Sequence, residues 1–371
     1  MPLLLNPDDV LLLNFRDCEG KSTLKTFCNT HCLYQLNKKK LKQKTLKTLK
    51  FLSFFLLGIL LFWWVYKDQD ISRIKSILTN EVNYFWIVVS VFLGLLSHIS
   101  RTIRWNLMIE PLGHKPRTLN TFLAVMIGYL MNLALPRMGE ISRCGVLSRY
   151  EKIPFTKLIG TVVLERLIDV IMLLLLLVVV VITQFGQVVE FLNNNPEVQQ
   201  KLGKIIHSPI LIIGLILFVL IIWLTRHKIR ASGIAQKMVG LLNQFAEGFK
   251  SIRNIRNKGA FVFHSIFIWV LYYLMLYCVF FAFEFTSHLT PLAGLTIFVF
   301  GSFGMVAPVQ GGIGAWHFMV IEGLALYGID RANGTVFALL AHGSTTIMLI
   351  VFGLIALLVL PFINERSDKK L

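Results

Sequence analysis

Glu165, Arg166 and Asp169 stand inside an otherwise apolar run, VVLERLIDVIMLLLLLVVVVI, where charges are costly. Counted from Leu158 at about 1.5 Å per residue, Glu165 lies about 10 Å and Asp169 about 16 Å into the run. The two carboxylates are four residues apart, so they share a helix face, with Arg166 beside them. An ionised group at the centre of a bilayer costs roughly 2.5–3.5 kcal/mol on insertion scales, so three together should face the protein interior and be paired. A second stretch, NLALPRMGEISR, places Arg137, Glu140 and Arg143 directly after an apolar segment. With Arg101 and Arg104 these form a candidate partner set. Guanidinium groups donate two parallel hydrogen bonds to a phosphate, so the set fits an anionic headgroup. The plainer reading is an ion-pair cluster that locks two halves of the chain together, and the two roles are compatible.

Gln310, Gly311, Gly312, Trp316, His317 and His342 supply polar tips and free backbone N–H groups around the stretch APVQGGIGAWH. A half-helix beginning after Gly314 would aim its positive end at an anion. Each histidine reads either as a hydrogen-bonded structural residue or as a group that titrates with transport. CNTHC (Cys28, His31, Cys32) has metal-like spacing but no second half, and the five cysteines give no disulfide framework. Asp68 and Asp70 mimic an acidic enzyme pair but fall in a short external loop, and Trp63, Trp64 and Trp86 read as interface anchors. No metal site, catalytic group or cofactor site is assigned, and no G-x-x-x-x-G-K loop is present.

The elements that must carry these residues follow from composition. Of 371 residues, 55% are hydrophobic and 15% charged, far from the balance of a soluble domain. Phe51–Tyr66, Tyr84–Ser100, Leu158–Thr183, Pro209–Thr225, Ala260–Phe283 and Asn333–Pro361 are long enough to span about 30 Å of hydrocarbon. The formal charge of +17 is read as orientation rather than as nucleic-acid binding. Seven lysines between Lys38 and Lys50 place the N-terminus in the cytoplasm, and eight basic residues against one acid in Arg226–Lys258 do the same for that loop. The apolar spacing of IAQKMVGLLNQFAEGF within it predicts a helix lying along the interface. No cleavable leader is evident.

Leu119–Leu135 is the ambiguous segment. If it crossed fully, Arg137, Arg143, Arg149, Lys152 and Lys157 would lie outside, so the positive-inside bias favours a re-entrant dip. Thr290–Leu326, broken by PVQGGIG, would dip from the other side. LPRMGEI and APVQGGI share P-x-x-G-x-I. Pro136, Gly139, Pro308, Gly311, Gly312 and Gly314 should interrupt helical hydrogen bonding. Such interruptions survive in lipid only inside protein or beside a water-filled cavity, and at matching positions of two halves they point to a transport site. The expected fold is therefore an all-α polytopic membrane protein of about six full spans plus two re-entrant segments in an inverted repeat. A basic extension covers 1–50 and the transmembrane domain 51–361, with halves of about 51–184 and 209–361. A short cytoplasmic tail covers 362–371.

SRTIRW, IGYLMNLALPRMGEISR, VVLERLID and GGIGAW, in this order, resemble the transmembrane domain of the lysylphosphatidylglycerol synthase/flippase family over roughly residues 51–361. The resemblance implies a bacterial or archaeal multi-span protein, placed here in a bacterial cytoplasmic membrane. It also implies that in two-domain members this region flips aminoacylated phospholipid between leaflets. Arg104, Trp105, Gly128, Asn132, Pro136, Arg137, Gly139, Glu140, Arg143, Glu165, Arg166 and Asp169 match its motifs. Gln310 stands where relatives often have a second proline, and His317 stands near their following acid, so the substrate need not be theirs. No room is left after Leu371 for a soluble aminoacyl-transferase domain, so the chain is expected not to be an enzyme.

The leading expectation is a flippase for an amphiphile with a phosphate-bearing headgroup. Arg137, Arg143 and Arg166 would engage the phosphate, and Glu140, Glu165 and Asp169 would orient them or meet a cationic part. Anionic membrane lipids are the expected partners, with a separate synthase or a second copy as further possibilities and no nucleic acid. The alternatives are a membrane enzyme acting on a polyprenyl or phospholipid substrate, with Glu140 and Glu165 as an acid/base pair, or a partner subunit of a separate synthase.

Overall fold

The computed structural model describes residues 71–135, 137–194, 255–307 and 309–368, with positions 56, 60, 62, 63 and 67 besides. The basic extension, most of Phe51–Tyr66, the span Pro209–Thr225, the interfacial helix of the basic loop, Pro136 and Pro308 lie outside the described residues. Among those described, every regular element is helical and none is a strand.

Local chemistry sets the helix boundaries. After α1 (Ile71–Asn80), Asn83 starts α2 (Tyr84–Ile109) by accepting the Phe85 N–H at 3.2 Å. A single 3-10 turn at Glu110–Leu112, containing Pro111 and followed by Gly113 at φ 84°, stops it. Then come α3 (Thr118–Ala134), α4 (Met138–Glu151) and α5 (Phe155–Asn194). Asn257 caps α6 (Lys258–Phe280) through the Ala260 N–H at 3.0 Å. The short α7 (Glu284–Ser287) leads to α8 (Pro291–Val306), which has Thr290 as cap and proline at its first position. A 3-10 turn (Gln310–Gly312) precedes α9 (Ala315–Ala325). Asp330 caps α10 (Arg331–Asp368) with two N–H bonds of 3.0 Å.

Four helices are long and apolar enough to cross a membrane: α2 with its terminal turn, α5, α6 and α10. The apolar α3 and α8 have 17 and 16 residues, about 26 Å and about 24 Å of rise, short of the about 30 Å of hydrocarbon. α5 runs on past the expected end at Thr183 to Asn194, and two further boundaries differ from expectation. α2 does not end near Ser100 but runs to Ile109, so Arg101 and Arg104 lie within the helix instead of at its mouth. α10 continues through Pro361, where Asn364 bonds back to the Leu360 carbonyl at 2.9 Å and across to Asn120 at 3.1 Å.

Hydrogen bonds fix the relative directions. Ser90 donates to the Met275 carbonyl (2.7 Å), Ser100 meets His264 (2.9 Å) and Asn83 N bonds Ala282 O (2.9 Å), so α2 and α6 pack antiparallel along their lengths. α3 and α4 form a hairpin whose outer ends meet where Asn120 donates to Glu151 at 2.5 Å. α8 and α9 form a second hairpin, closed where Tyr327 donates to Thr296 at 3.0 Å. The order long helix, short apolar helix, reversal, second short helix, long helix thus occurs twice, as α2–α5 and as α6–α10. Each hairpin has its own apolar core. Trp105, Val125, Leu147 and Leu158 surround the first, and Phe280, Ile297, Val320 and Phe337 the second. Rows of exposed apolar side chains, such as Leu174, Val178 and Ile182 on α5 and Leu354 and Leu358 on α10, are what a lipid-facing surface requires.

Candidate functional site: a buried arginine–carboxylate cluster

α2, α4 and α5 bring together seven of the charged residues that the sequence singles out. Glu165, with no exposed surface, is the centre. Its Oε1 accepts from Arg101 Nη1 and lies 3.5 Å from Arg104, while its Oε2 accepts from Arg143 Nη2 at 3.0 Å. Asp169, one turn on, takes Arg104 at 2.8 Å on one oxygen and Arg101 at 3.3 Å on the other. The (i, i+4) spacing places both acids against the (i, i+3) pair Arg101/Arg104. Each buried charge therefore has an opposite charge within reach, which a low-dielectric interior demands.

Further residues hold the arginines in place. The Arg143 guanidinium lies 4.6 Å above the Trp105 ring, and the indole N–H donates to Thr161 Oγ1 at 2.8 Å. Arg101 Nε donates to the Tyr272 hydroxyl at 3.2 Å, and that hydroxyl is 3.3 Å from the Tyr129 hydroxyl. Sequence reasoning missed Thr161, Tyr129 and Tyr272. Tyr272 is on α6, far along the chain, and nothing in its neighbourhood announces the contact; Tyr129 had only its place within a quoted motif.

Arg166 stands apart. Its side chain is 45% exposed, and its contacts to Glu140 (3.5 Å), Asp169 (3.6 Å) and Glu165 (3.8 Å) are all long. Four arginines meet three carboxylates here, a formal excess of one positive charge, and the least neutralised guanidinium is Arg166. It lines a small cleft with Gly128, Tyr129, Asn132, Gly139, Glu140 and Arg143. The space open to the centre of a water molecule is about 10 Å³, enough for roughly one water and far too little for a phosphate. Glu140 Oε2 and Arg143 Nε, on residues of that lining, are buried without a hydrogen-bond partner.

Several sequence expectations change. Arg137 does not join the cluster: it is exposed, sits at φ 61° as the residue before α4, and forms no ion pair among the described residues. Arg143 faces Glu165 and Trp105 instead of an open headgroup pocket. Gly139 breaks nothing. It lies inside α4, where a Cβ would come 2.2 Å from the Gly128 carbonyl, so its lack of a side chain serves helix contact and the reversal falls at Arg137. Asn132 closes the hairpin by accepting the Gly139 N–H at 2.7 Å.

The second hairpin uses the same device, since a Cβ on Gly304 would lie 2.7 Å from Trp316 Cα. Its reversal does use glycines in left-handed backbone, Gly311 (φ 57°), Gly312 (φ 77°) and Gly314 (φ 82°). Gln310, His317 and His342 gather here and not around Glu165. His342 Nε2 is 2.8 Å from Gly311 O, and Gly314 N donates to His317 Nδ1 at 3.3 Å. The two reversals touch, because the Leu133 side chain reaches the Gly311 backbone so closely that a Cβ there would be 2.7 Å from it. Among the described residues no three His, Cys, Asp or Glu side chains could hold a metal ion.

Trp105→Phe loses both the indole bond to Thr161 and part of the cation–π contact to Arg143. The expected cost is about 1–2 kcal/mol, read as a lower melting temperature in detergent.

Helices of this length and apolarity, with ionised groups sequestered between them, define a multi-pass membrane protein. The chain belongs to the family described as the lysylphosphatidylglycerol synthase TM region, whose model matches residues 51–353. Over 102 residues it is 32% identical to a UPF0104 membrane protein of Methanocaldococcus jannaschii. That stretch is 27% of this chain and 30% of the relative, so the chain covers under a third of that protein's length. No solved structure matches it.

Proposed function

We propose that the chain translocates an amphiphile with a phosphate-bearing headgroup between membrane leaflets, and that the Glu165 cluster is where the headgroup is held. The observation that carries this reading is Arg166. It is a half-exposed guanidinium bearing the excess charge of a buried cluster, beside a cleft whose lining residues Glu140 and Arg143 each carry a buried polar atom without a hydrogen-bond partner. A phosphate answers such a donor with two oxygens. The cleft admits about one water, so the headgroup enters only when the α3–α4 hairpin and α5 separate. The two hairpins, closed at Asn120–Glu151 and at Tyr327–Thr296, act as dips from opposite faces, which makes the chain an inverted repeat. The basic segment Lys38–Lys50 puts the N-terminus on the cytoplasmic side of a bacterial cytoplasmic membrane. Lysylphosphatidylglycerol, named in the family's description, is one headgroup of the required kind.

The enzyme reading draws less support, because Glu165, one half of the acid/base pair it needs, has both oxygens engaged by arginines. The ion-pair lock is favoured for Arg101 and Arg104, which are buried and each paired with Glu165 and Asp169. Arg166→Gln separates the two roles. Its contacts are long and partly exposed, so the change should cost under about 1 kcal/mol of stability. The loss of a charge-assisted bond to phosphate should slow translocation by about tenfold to hundredfold. The assay uses vesicles that contain the full chain and fluorescent phosphatidylglycerol, with the outer leaflet bleached chemically. A native rate in the variant, or no movement of the probe by the native chain, counts against the reading.

A further inference from the structure

We infer that His342 is a proton-binding site built into the second reversal, and that proton binding there is coupled to the backbone of both hairpins. Its consequence for translocation rests on the transport reading above, whereas the proton site does not.

Hydrogen bonding assigns the tautomers. The Gly311 carbonyl can only accept, so His342 Nε2 carries a hydrogen and donates to it at 2.8 Å. Nδ1 is then the free lone pair, and Thr346 Oγ1 donates to it at 3.3 Å. A backbone N–H can only donate, so His317 Nδ1 holds a lone pair toward Gly314 N, and this bond caps α9. The rings of His317 and His342 have centroids 4.7 Å apart, too close for both to carry charge.

The two histidines therefore differ in what a proton does to them. A proton on His342 Nδ1 leaves the Nε2–H bond to Gly311 in place and strengthens it with charge. Thr346 needs only to rotate its hydroxyl from donor to acceptor. A proton on His317 Nδ1 would set two N–H groups against each other at the N-terminus of α9, where positive charge is already disfavoured. The geometry admits the proton at His342 and refuses it at His317.

Among the described residues, the charged groups on the elements packed against this pair are held by partners elsewhere. α8, the 310–312 turn and α3 carry no Asp, Glu, Lys or Arg. Tyr129 on α3 is turned to Tyr272 and His98. Glu322, further along α9, is paired with Arg331 at the start of α10 at 2.6 Å. From the other helices on α10, Arg73 of α1 meets Asn333, His264 of α6 meets Ser100 of α2, and Arg101 and Arg104 of α2 face Glu165 and Asp169. Trp316 lies 5.2 Å from the His342 ring, and Phe62 lies 5.7 Å from that of His317.

The mechanical link is Gly311. It takes the His342 bond on its carbonyl and abuts Leu133, the residue after Asn132, which ties α3 to α4 beside Arg166. A proton arriving from the acidic side at His342 Nδ1 tightens the clamp on Gly311, and its departure to the alkaline side relaxes it.

The first test reads the proton directly. The full chain carries 15N-labelled histidine in nanodiscs of phosphatidylcholine and phosphatidylglycerol and is titrated from about pH 8 to about pH 5. The two signals are assigned with His342→Gln, which keeps a donor at the Nε2 position, and His317→Asn, which keeps an acceptor at the Nδ1 position. The expected result is that His342 changes from one protonated nitrogen to two while His317 stays neutral. A His342 signal that stays neutral throughout, or a His317 that protonates first, overturns the inference.

The second test reads the coupling in vesicles with fluorescent phosphatidylglycerol, with and without a pH difference across the membrane. The ratio of the two rates should exceed about threefold in the native chain and in His317→Asn, and fall to about one in His342→Gln. An unchanged ratio in His342→Gln overturns the coupling. Titration of His342 in a chain that moves no lipid probe upholds the proton site and sinks only the transport reading.

Discussion

Glu165→Gln is expected to cost about 3–5 kcal/mol of stability, seen as a strongly lowered melting temperature in detergent or nanodiscs, and to abolish lipid translocation. One carboxylate serves Arg101, Arg104 and Arg143, each buried, with side chains 4%, 0% and 4% exposed. Glutamine keeps the shape and one acceptor oxygen but leaves four arginines facing Asp169 and Glu140. Water cannot follow the arginines inside, because the adjoining cleft holds about one molecule. The damage should therefore be larger than the worth of any single ion pair, since it consists mainly of buried charge left without a partner. Adding Arg143→Gln should restore part of the loss. The double variant should lie about 1–3 kcal/mol above the sum of the two single changes. Strict additivity would mean that the pair drawn at 3.0 Å contributes nothing to the fold.

Gly139→Val should be comparably severe for a different reason. A Cβ at Gly139 would lie 2.2 Å from the Gly128 carbonyl and 2.6 Å from the Asn132 side chain, both parts of α3. Backbone cannot rotate away as a side chain can, so α3 and α4 must separate. Separation breaks the Asn132–Gly139 bond and shifts Glu140 and Arg143, which ride on the same helix. The expected cost is about 3 kcal/mol or more, at the upper end of overpacking changes. Gly145→Ala is the matched control. It lies on the same helix with nothing within 4 Å of its added Cβ, and should stabilise the helix by up to about 1 kcal/mol. Thermal unfolding followed by circular dichroism distinguishes the two, and equal melting points would refute the contact between the hairpin backbones.

Much of the site was legible before any coordinates. Charges in an apolar run have few solutions, so Glu165 and Asp169 could be predicted to face inward and to find arginines, and all of the arginines that engage them were named. The helical spacing of Arg101 and Arg104 gives their shared face once α2 is known to continue. The sequence alone suggests an end near Ser100, since charge marks the edge of a span, whereas the helix stops only at Pro111 and Gly113. Gly139 is ambiguous in the sequence because glycine has two uses, a turn and a close approach, and only the structure shows that the second applies. Arg137 was placed in the cluster by its neighbours in sequence. In the structure it is the left-handed residue at the reversal, exposed and in no ion pair among the described residues.

By itself, the sequence determined that this chain is helical, spans a membrane several times and hides ionised groups inside. Apolar length, charge bias and the energetic cost of a bare ion in hydrocarbon all act locally along the chain. Tertiary structure alone decided which arginine is spare, that the cleft is shut, and that Leu133 of one reversal rests on Gly311 of the other. Those are distances between segments far apart in the chain. They are set by how closely backbones approach at Gly128, Gly139 and Gly304, and no spacing within one segment encodes them.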